Sequence, residues 1–178
     1  LTINKYLKEN SNLADVGTGA GFPGIPLKIL RPDIKVTLVD SLNKRINFLN
    51  EVIEKLNLED IVTVHSRIED FGKNKSYREK FDYVTARAVA NLAVLSEYLI
   101  PIAKIGGKCV CMKGSNVEEE ITSGKNAINV LGGKLERVDE FKLPDSDISR
   151  NVIVLSKVKN TPVRFPRKAG MPSKEPLK

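Results

Sequence analysis

The sequence lacks any apolar run that approaches the ~20 residues needed to cross a bilayer, which argues against a membrane protein. Cysteine is also scarce: the only two, Cys109 and Cys111, lie one residue apart in an apolar run, and no secretory signal pattern precedes the first strand. This usage predicts reduced core thiols in a cytoplasmic protein, without a disulfide framework or a metal site. A chain of 178 residues can bury a sufficient core without either.

The sequence begins with Leu1 rather than methionine, and residues 1–6 have the apolar spacing of a helix end. We therefore expect residues 1–11 to be the tail of an N-terminal helical segment that this sequence does not contain. Residues 12–159 show neither an internal repeat nor a linker and are predicted to form one domain.

Positive charge is concentrated at the C-terminal end. The net charge is +7, and residues 157–178 hold seven cations against a single anion, Glu175. Such a strip suggests a polyanionic partner, because neutralising phosphates releases counterions, although a solvated tail explains the charge equally well. Four prolines within the strip disfavour helix, so we expect residues 160–178 to form an extended basic arm.

Short β-branched runs alternate with helical patterns, which predicts an α/β fold with a mostly parallel sheet. The predicted strands cover residues 13–16, 36–40, 61–65, 81–86 and 108–112, and the predicted helices cover residues 44–56, 91–103 and 117–131. Two further strand-like segments, residues 135–143 and 151–158, are joined too closely for a crossover helix and are predicted to form an antiparallel hairpin. That ending is typical of class I (Rossmann-like) methyltransferases, so we expect a seven-stranded, mostly parallel sheet with an antiparallel last strand.

A glycine-rich turn follows the first strand, where residues 15–24 are Asp-Val-Gly-Thr-Gly-Ala-Gly-Phe-Pro-Gly. Glycines at Gly17, Gly19 and Gly21 let a ligand approach the backbone, and the helix start behind them offers free N–H groups to an anion. That anion is a pyrophosphate in a dinucleotide and a carboxylate in S-adenosylmethionine. The spacing G-x-G-x-x-G does not separate the two cofactors, but Asp15 at the strand tip favours the cationic amino-acid cofactor.

Other cofactor contacts are predicted at the ends of the second and third strands. Asp40, followed by Ser41, is placed to accept both ribose hydroxyls, with a helix-capping role as the alternative. Ile68 and Glu69 follow the third strand, where an adenine ring needs an apolar neighbour and an acceptor. Phe22 is placed to cover the cofactor from the other side, although ordinary packing explains Phe22 and Ile68 equally well from the pattern alone.

The loop after the fourth strand faces the transferable methyl group in this fold, and here it contains Arg87. It has neither the Asn/Asp-Pro-Pro-aromatic motif of amine methyltransferases nor the cysteine of cytosine C5 enzymes. The remaining targets are an already nucleophilic atom, such as a purine N7, or a hydroxyl assisted by a base. We expect Arg87 to position substrate or cofactor, His65 to be structural, and Lys113 either to contact a phosphate or to be solvated.

Several motifs in order resemble one family, the bacterial small-subunit ribosomal RNA guanine-N7 methyltransferases, also called glucose-inhibited division protein B. They are the turn with its continuation to Pro26, residues 39–45 (Val-Asp-Ser-Leu-Asn-Lys-Arg), residues 66–69 (Ser-Arg-Ile-Glu), residues 86–88 (Ala-Arg-Ala), and Thr161-Pro162 through Phe165-Pro166-Arg167-Lys168-Ala169-Gly170-Met171-Pro172. The resemblance implies methyl transfer from S-adenosylmethionine to N7 of one guanosine in 16S rRNA. It implies cofactor contacts at Gly17, Phe22, Ile68, Glu69 and Arg87.

The same resemblance makes the basic end an RNA-holding arm, with Arg164, Arg167 and Lys168 near phosphates of 16S rRNA or the small subunit. We expect the protein to act as a monomer in the cytoplasm. Two other functions remain open on the residues alone. The glycine motif and Asp40 also suit a nicotinamide-dependent oxidoreductase, and the absence of a catalytic acid or base also suits an RNA-binding module without activity.

Overall fold

A computed structural model describes residues 2–87, 89–115 and 117–177 of the chain. Its centre is one seven-stranded sheet with the strand order β3-β2-β1-β4-β5-β7-β6. The strands are β1 (Asn12–Val16), β2 (Lys35–Asp40), β3 (Ile61–His65), β4 (Phe81–Arg87), β5 (Ala103–Lys113), β6 (Gly133–Lys142) and β7 (Ser149–Lys157). The first five pair in parallel, whereas β7 is antiparallel to both β5 and β6. The predicted seven-stranded, mostly parallel sheet with an antiparallel last strand is confirmed.

Helices cover both faces of this sheet. They are α1 (Gly24–Leu30), α2 (Asn43–Lys55), α3 (Ile68–Lys73), α4 (Leu92–Leu99), α5 (Glu118–Val130) and α6 (Met171–Lys174), with a short 3₁₀ helix at Thr2–Tyr6. Successive strand residues point to opposite faces, so Leu13 packs with α1 and α2, and Ala14 packs with α3, α4 and α5. Cys109 and Cys111 are free, buried thiols on the second of these faces, as predicted.

The predicted boundaries between α4 and β5 are wrong. The helix expected over residues 91–103 ends at Leu99, and β5 begins at Ala103, ahead of the predicted start at Lys108. Pro101 lacks the N–H that would continue the helix. Gly106, at φ +79°, and Gly107 interrupt the apolar pattern that would have revealed the beginning of the strand.

The C-terminal segment, defined here as residues 160–177, is not an extended arm. It folds back on the sheet and α4, and buries Thr161 and Phe165 to 4% exposure each. Pro172 sits in the first turn of α6, where a helix tolerates proline because that N–H has no partner within the helix. Within the described residues, the structure has no helix that is long and apolar enough to cross a membrane.

Candidate active site

A cavity of about 370 Å³ opens at the carboxyl ends of β1, β2, β3 and β4. Ligands of open α/β sheets bind at this edge, beside the point where the strand order reverses. Six predicted residues line the cavity: Gly17, Asp40, Ser41, Ile68, Glu69 and Arg87. Six others do so without having been predicted: Arg45, Arg67, Val89, Tyr98, Gly170 and Ser173. We call this space the donor cavity.

Two glycines of the turn have different structural roles: Gly17 borders the cavity, and Gly21 lies against the first helix. Gly17 has a φ of +67°, and a Cβ added to it would lie 3.0 Å from Val89 Cγ2, another residue of the cavity lining. A Cβ on Gly21 would instead lie 2.5 Å from Ile25 Cδ1, inside the packing of the first helix. Gly17 therefore keeps the cavity open, whereas Gly21 lets the helix pack against the turn.

Asp15 is completely buried beneath this turn rather than in the cavity lining. Its Oδ2 accepts a hydrogen bond from Thr18 Oγ1 at 2.6 Å and another from the Gly24 N–H at 2.9 Å. Its Oδ1 is buried without a hydrogen-bond partner in the described part of the chain. Burial raises the pKa of the Asp15 carboxyl to about 6, against the hydrogen bonds from Thr18 and Gly24, which lower it.

This raised pKa gives a measurable pH dependence. Above pH 6 the Asp15 side chain is a buried carboxylate in the folded protein. Between pH 6 and about 4 the folded protein keeps Asp15 protonated, whereas the unfolded chain has released that proton. Asp15 thus reduces stability at neutral pH, and the loss diminishes as the pH falls from 6 toward 4. The substitution Asp15→Asn keeps the size of the side chain and removes its charge. We expect it to raise the free energy of unfolding, measured in urea, and we expect this increase to be about 2 kcal/mol larger at pH 7.5 than at pH 4.5. An effect that is equal at both values would contradict the assignment.

Asp40 joins the glycine turn to the end of β2. It is 2% exposed, its Oδ2 accepts the Gly19 N–H at 3.0 Å, and its Oδ1 accepts the Leu42 N–H at 2.9 Å. The guanidinium of Arg45 lies 3.2 Å from the same Oδ2. These bonds fix the carboxylate at the cavity wall, and the ribose contact stays a prediction.

Glu69 and Tyr98 meet the C-terminal segment across the cavity. Oε1 of Glu69, a residue only 5% exposed, accepts a hydrogen bond from the Gly170 N–H at 2.8 Å. The hydroxyl of Tyr98 lies 2.9 Å from Ser173 Oγ. The segment therefore forms one wall of the donor cavity.

Arg87 and Phe22 approach each other at the end of β4. The Arg87 guanidinium carbon lies 5.5 Å from the centre of the Phe22 ring, within the range of a cation–π contact. Phe22 is 48% exposed and is not part of the cavity lining, so its contact with the cofactor stays a prediction. The next residue of the quoted motif, Ala88, lies outside the described residues.

Lys113 is neither solvated nor free for a phosphate. Its Nζ donates to the Ala90 carbonyl at 2.8 Å and pairs with Glu120 Oε2 at 2.6 Å, with the side chain 10% exposed. It therefore connects the end of β5 to the loop before α4, which corrects its expected RNA contact. His65 Nε2 lies 3.0 Å from the Ser41 carbonyl oxygen, in keeping with a structural role.

The three basic residues expected on the arm differ in their surroundings. Arg164 and Lys168 are exposed, and the Arg164 guanidinium carbon lies 5.0 Å from the centre of the Phe165 ring. Arg167 instead turns inward: its Nε and Nη2 bond to the carboxylate of Glu97, a residue with no exposed surface. Arg167 is therefore removed from the expected phosphate contacts, because its charge is already paired.

The residues that sequence reasoning missed have weak local signals. Arg45 and Arg67 stand inside motifs shared with the family, and Arg67 directly precedes the predicted contact Ile68. Tyr98 lies on α4, whose apolar pattern predicts only core packing. Gly170 and Ser173 belong to the basic C-terminal segment, whose charge predicts RNA contacts and gives no sign of a cofactor site.

Comparison with known proteins agrees with this geometry. A S-adenosylmethionine-dependent methyltransferase from Aquifex aeolicus has a TM-score of 0.63 and 21% identity, over 86% of this chain and 87% of that one. Another from Methanosarcina mazei has a TM-score of 0.68 and 14% identity, over 88% of this chain and 97% of that one. The fold is that of the S-adenosylmethionine-dependent methyltransferases.

Sequence relatives identify the family within that class. The family model GidB, described as rRNA small subunit methyltransferase G, matches residues 1–152. Proteins named ribosomal RNA small subunit methyltransferase G include one from Acetivibrio thermocellus, 58% identical over 99% of this chain and 73% of its own length. Another, from Clostridium novyi, is 51% identical over 97% of this chain and 71% of its own length. The chain belongs to the rRNA small subunit methyltransferase G family.

Proposed function

We propose that the chain transfers a methyl group from S-adenosylmethionine to N7 of one guanosine in 16S rRNA of the small ribosomal subunit. Membership of the rRNA small subunit methyltransferase G family carries the proposal. The donor cavity supports it, since its lining includes four of the five residues at which the family resemblance implies S-adenosylmethionine contacts, namely Gly17, Ile68, Glu69 and Arg87 but not Phe22. A nicotinamide oxidoreductase is not supported, because both the family and the similar structures are methyltransferases.

The residues around the cavity fit S-adenosylmethionine. Gly17 leaves room where any side chain would meet Val89, and the buried, unpartnered Oδ1 of Asp15 supplies negative charge below the turn. We assign the amino-acid end of the donor to this turn, its ribose to Asp40 and Ser41, and its adenine to Ile68 and Glu69. When bound, the donor supplies an electrophilic methyl group on a sulfonium.

Catalysis in this site is mainly alignment. The N7 of guanine carries a lone pair and needs no deprotonation, so the reaction requires no general base. Neither histidine nor cysteine is among the described residues that line the cavity. Arg87, at the end of β4, is assigned to hold the base or the donor so that the attacking nitrogen and the methyl carbon are in line.

A methyl-transfer assay tests the proposal. Small subunits and naked 16S rRNA lacking the modification are incubated with the protein and methyl-labelled S-adenosylmethionine, and the labelled fragment is identified by mass. We expect one labelled guanosine that is sensitive to strand scission after borohydride and aniline, as N7-methylguanosine is. Label at another atom would overturn the assignment of N7, and RNA binding without any label would favour an inactive RNA-binding module.

Arg164 and Lys168 are the described cations of the C-terminal segment that we assign to phosphate contacts. Replacing both with glutamine is expected to weaken RNA binding and to reduce the slope of log K against log salt by about 1.4–1.8, near 0.7–0.9 per phosphate contact. Lys55, exposed at the end of α2, serves as the control, and Lys55→Gln is expected to leave the slope unchanged. Equal slopes for the double variant and the wild type would exclude Arg164 and Lys168 from phosphate binding.

A further inference from the structure

We propose that the C-terminal segment completes the adenine end of the donor cavity, with Gly170 positioning Glu69 and the Tyr98–Ser173 pair bounding the base. This inference rests on S-adenosylmethionine being the donor in the proposed function. The positive charge of the segment does not suggest this role, because the groups that contact Glu69 and Tyr98 are the uncharged Gly170 N–H and Ser173 hydroxyl. The segment then contributes to cofactor specificity as well as to RNA binding.

The first step is the position of the segment in the cavity. Gly170 and Ser173 line the same cavity as Ile68 and Glu69, which follow β3. Asp40, at the end of β2, lies on the ribose side of that cavity in our assignment. The C-terminal segment therefore borders the adenine end, beyond the ribose.

Glu69 depends on the segment for its orientation. The Gly170 N–H donates to Oε1 at 2.8 Å, and this backbone geometry requires a left-handed residue, since Gly170 has a φ of +83°. A carboxylate with one oxygen held in this way offers Oε2 to a donor such as the exocyclic amine of adenine. Gly170 is thus a positioning residue that acts through Glu69.

Tyr98 and Ser173 form the second contact between the segment and the cavity. Their hydroxyl oxygens lie 2.9 Å apart, and Tyr98 is only 7% exposed. This hydrogen bond holds the side chain of Tyr98, a residue that lines the same cavity as Ile68. A flat, partly apolar adenine ring suits such a boundary better than a charged group does.

The wall is anchored independently of any ligand. Arg78 donates to the carbonyl oxygens of Thr161 and Phe165 at 2.7 and 2.6 Å, and Arg167 pairs with buried Glu97. These anchors precede Gly170 in the chain, so they stay in place when the wall itself is altered. A site that is ordered before binding spends less free energy on ordering when the ligand arrives.

Comparing the affinities for two ligands distinguishes a loss of adenine contacts from a general disturbance of the site. S-adenosylhomocysteine carries the base, whereas S-ribosylhomocysteine keeps the amino acid and ribose but lacks it. A variant that ends at Lys168 retains Arg164, Arg167 and their anchors, and removes Gly170 and Ser173. We expect calorimetry to show about 30-fold weaker binding of S-adenosylhomocysteine by this variant, and at most about a 3-fold change for S-ribosylhomocysteine.

Point variants cover the case in which the shortened chain does not fold. Ser173→Ala is expected to weaken S-adenosylhomocysteine binding about 5-fold, the effect of one hydrogen bond, while Lys174→Ala next to it is expected to have no effect. Equal losses for both ligands, or unchanged binding by the variants, would overturn the inference while leaving the proposed function intact. Failure of the unaltered protein to bind S-adenosylhomocysteine would overturn both.

Discussion

Replacing Arg167 with alanine is expected to lower the free energy of unfolding by about 3–5 kcal/mol, measured by urea denaturation at neutral pH. Glu97 has no exposed surface, and its carboxylate accepts hydrogen bonds from Arg167 Nε and Nη2 and from the Arg167 backbone N–H, at 2.7 to 3.1 Å. Removing the guanidinium leaves a buried carboxylate without its compensating charge, which costs far more than the loss of an exposed ion pair.

The neighbouring Arg164 provides the matched control for this prediction. It is exposed, and its guanidinium lies over the face of the Phe165 ring, so Arg164→Ala is expected to cost less than about 1 kcal/mol. Pairing Glu97→Gln with Arg167→Met removes both charges and is expected to recover part of the stability lost in Arg167→Ala. Similar losses for the two single alanine variants would show that the buried ion pair does not hold the segment.

Much of the fold follows from local patterns in the sequence. The apolar runs that became β1 to β4 are bounded within one residue of their predicted ends. For β1, β2 and β4 the reason is that strands covered on both faces need apolar side chains at nearly every position. The terminal hairpin followed from the short connection between two strand-like segments. The beginning of β5 was missed because Gly106 and Gly107 remove the side chains on which such a pattern depends.

The C-terminal segment shows why its conformation was not predictable from its own residues. Arg167 is one of the seven cations spread over residues 157–178, among several prolines. Its pairing with Glu97, 70 positions earlier in the chain, distinguishes it from Arg164. Lys157 is similar: it is 1% exposed and pairs with Glu79 at 3.0 Å. Local charge patterns indicate an exposed strip, whereas long-range pairing takes two of its charges into the protein.

The residues of the candidate site fall into the same two groups, those that local sequence patterns predict and those that only long-range contacts bring in. Gly17, Asp40 and Glu69 were predicted because each follows a strand directly, and parallel strands bring their carboxyl ends together. Tyr98 and Ser173 enter the site only because the chain returns across α4 after β7. The order of the strands therefore determines the residues that we assign to the amino acid, the ribose and, through Ile68 and Glu69, the adenine. The returning segment adds a further wall at the adenine end.

Replacing Gly17 with valine is expected to weaken S-adenosylhomocysteine binding by more than about 100-fold in calorimetry, an effect above ~2.7 kcal/mol. The new Cβ would lie 3.0 Å from Val89 Cγ2 in the cavity lining, and the branches beyond it would compete with the donor for space. The backbone at φ +67° would also be strained by a β-branched residue. Circular dichroism is expected to show that the sheet is retained, since the turn lies at its edge.

A control variant at Gly106 distinguishes the effect of lost cavity space from the effect of backbone strain. Its φ of +79° resembles that of Gly17, but a Cβ there meets no atom within 4 Å, and the residue lies near the start of β5, away from the donor cavity. Gly106→Val is therefore expected to reduce stability by about 1–2 kcal/mol, as Gly17→Val does, while leaving the affinity for S-adenosylhomocysteine unchanged. If both variants bind the ligand as the unaltered protein does, Gly17 does not border the bound donor, because the space beside it would have been filled without consequence.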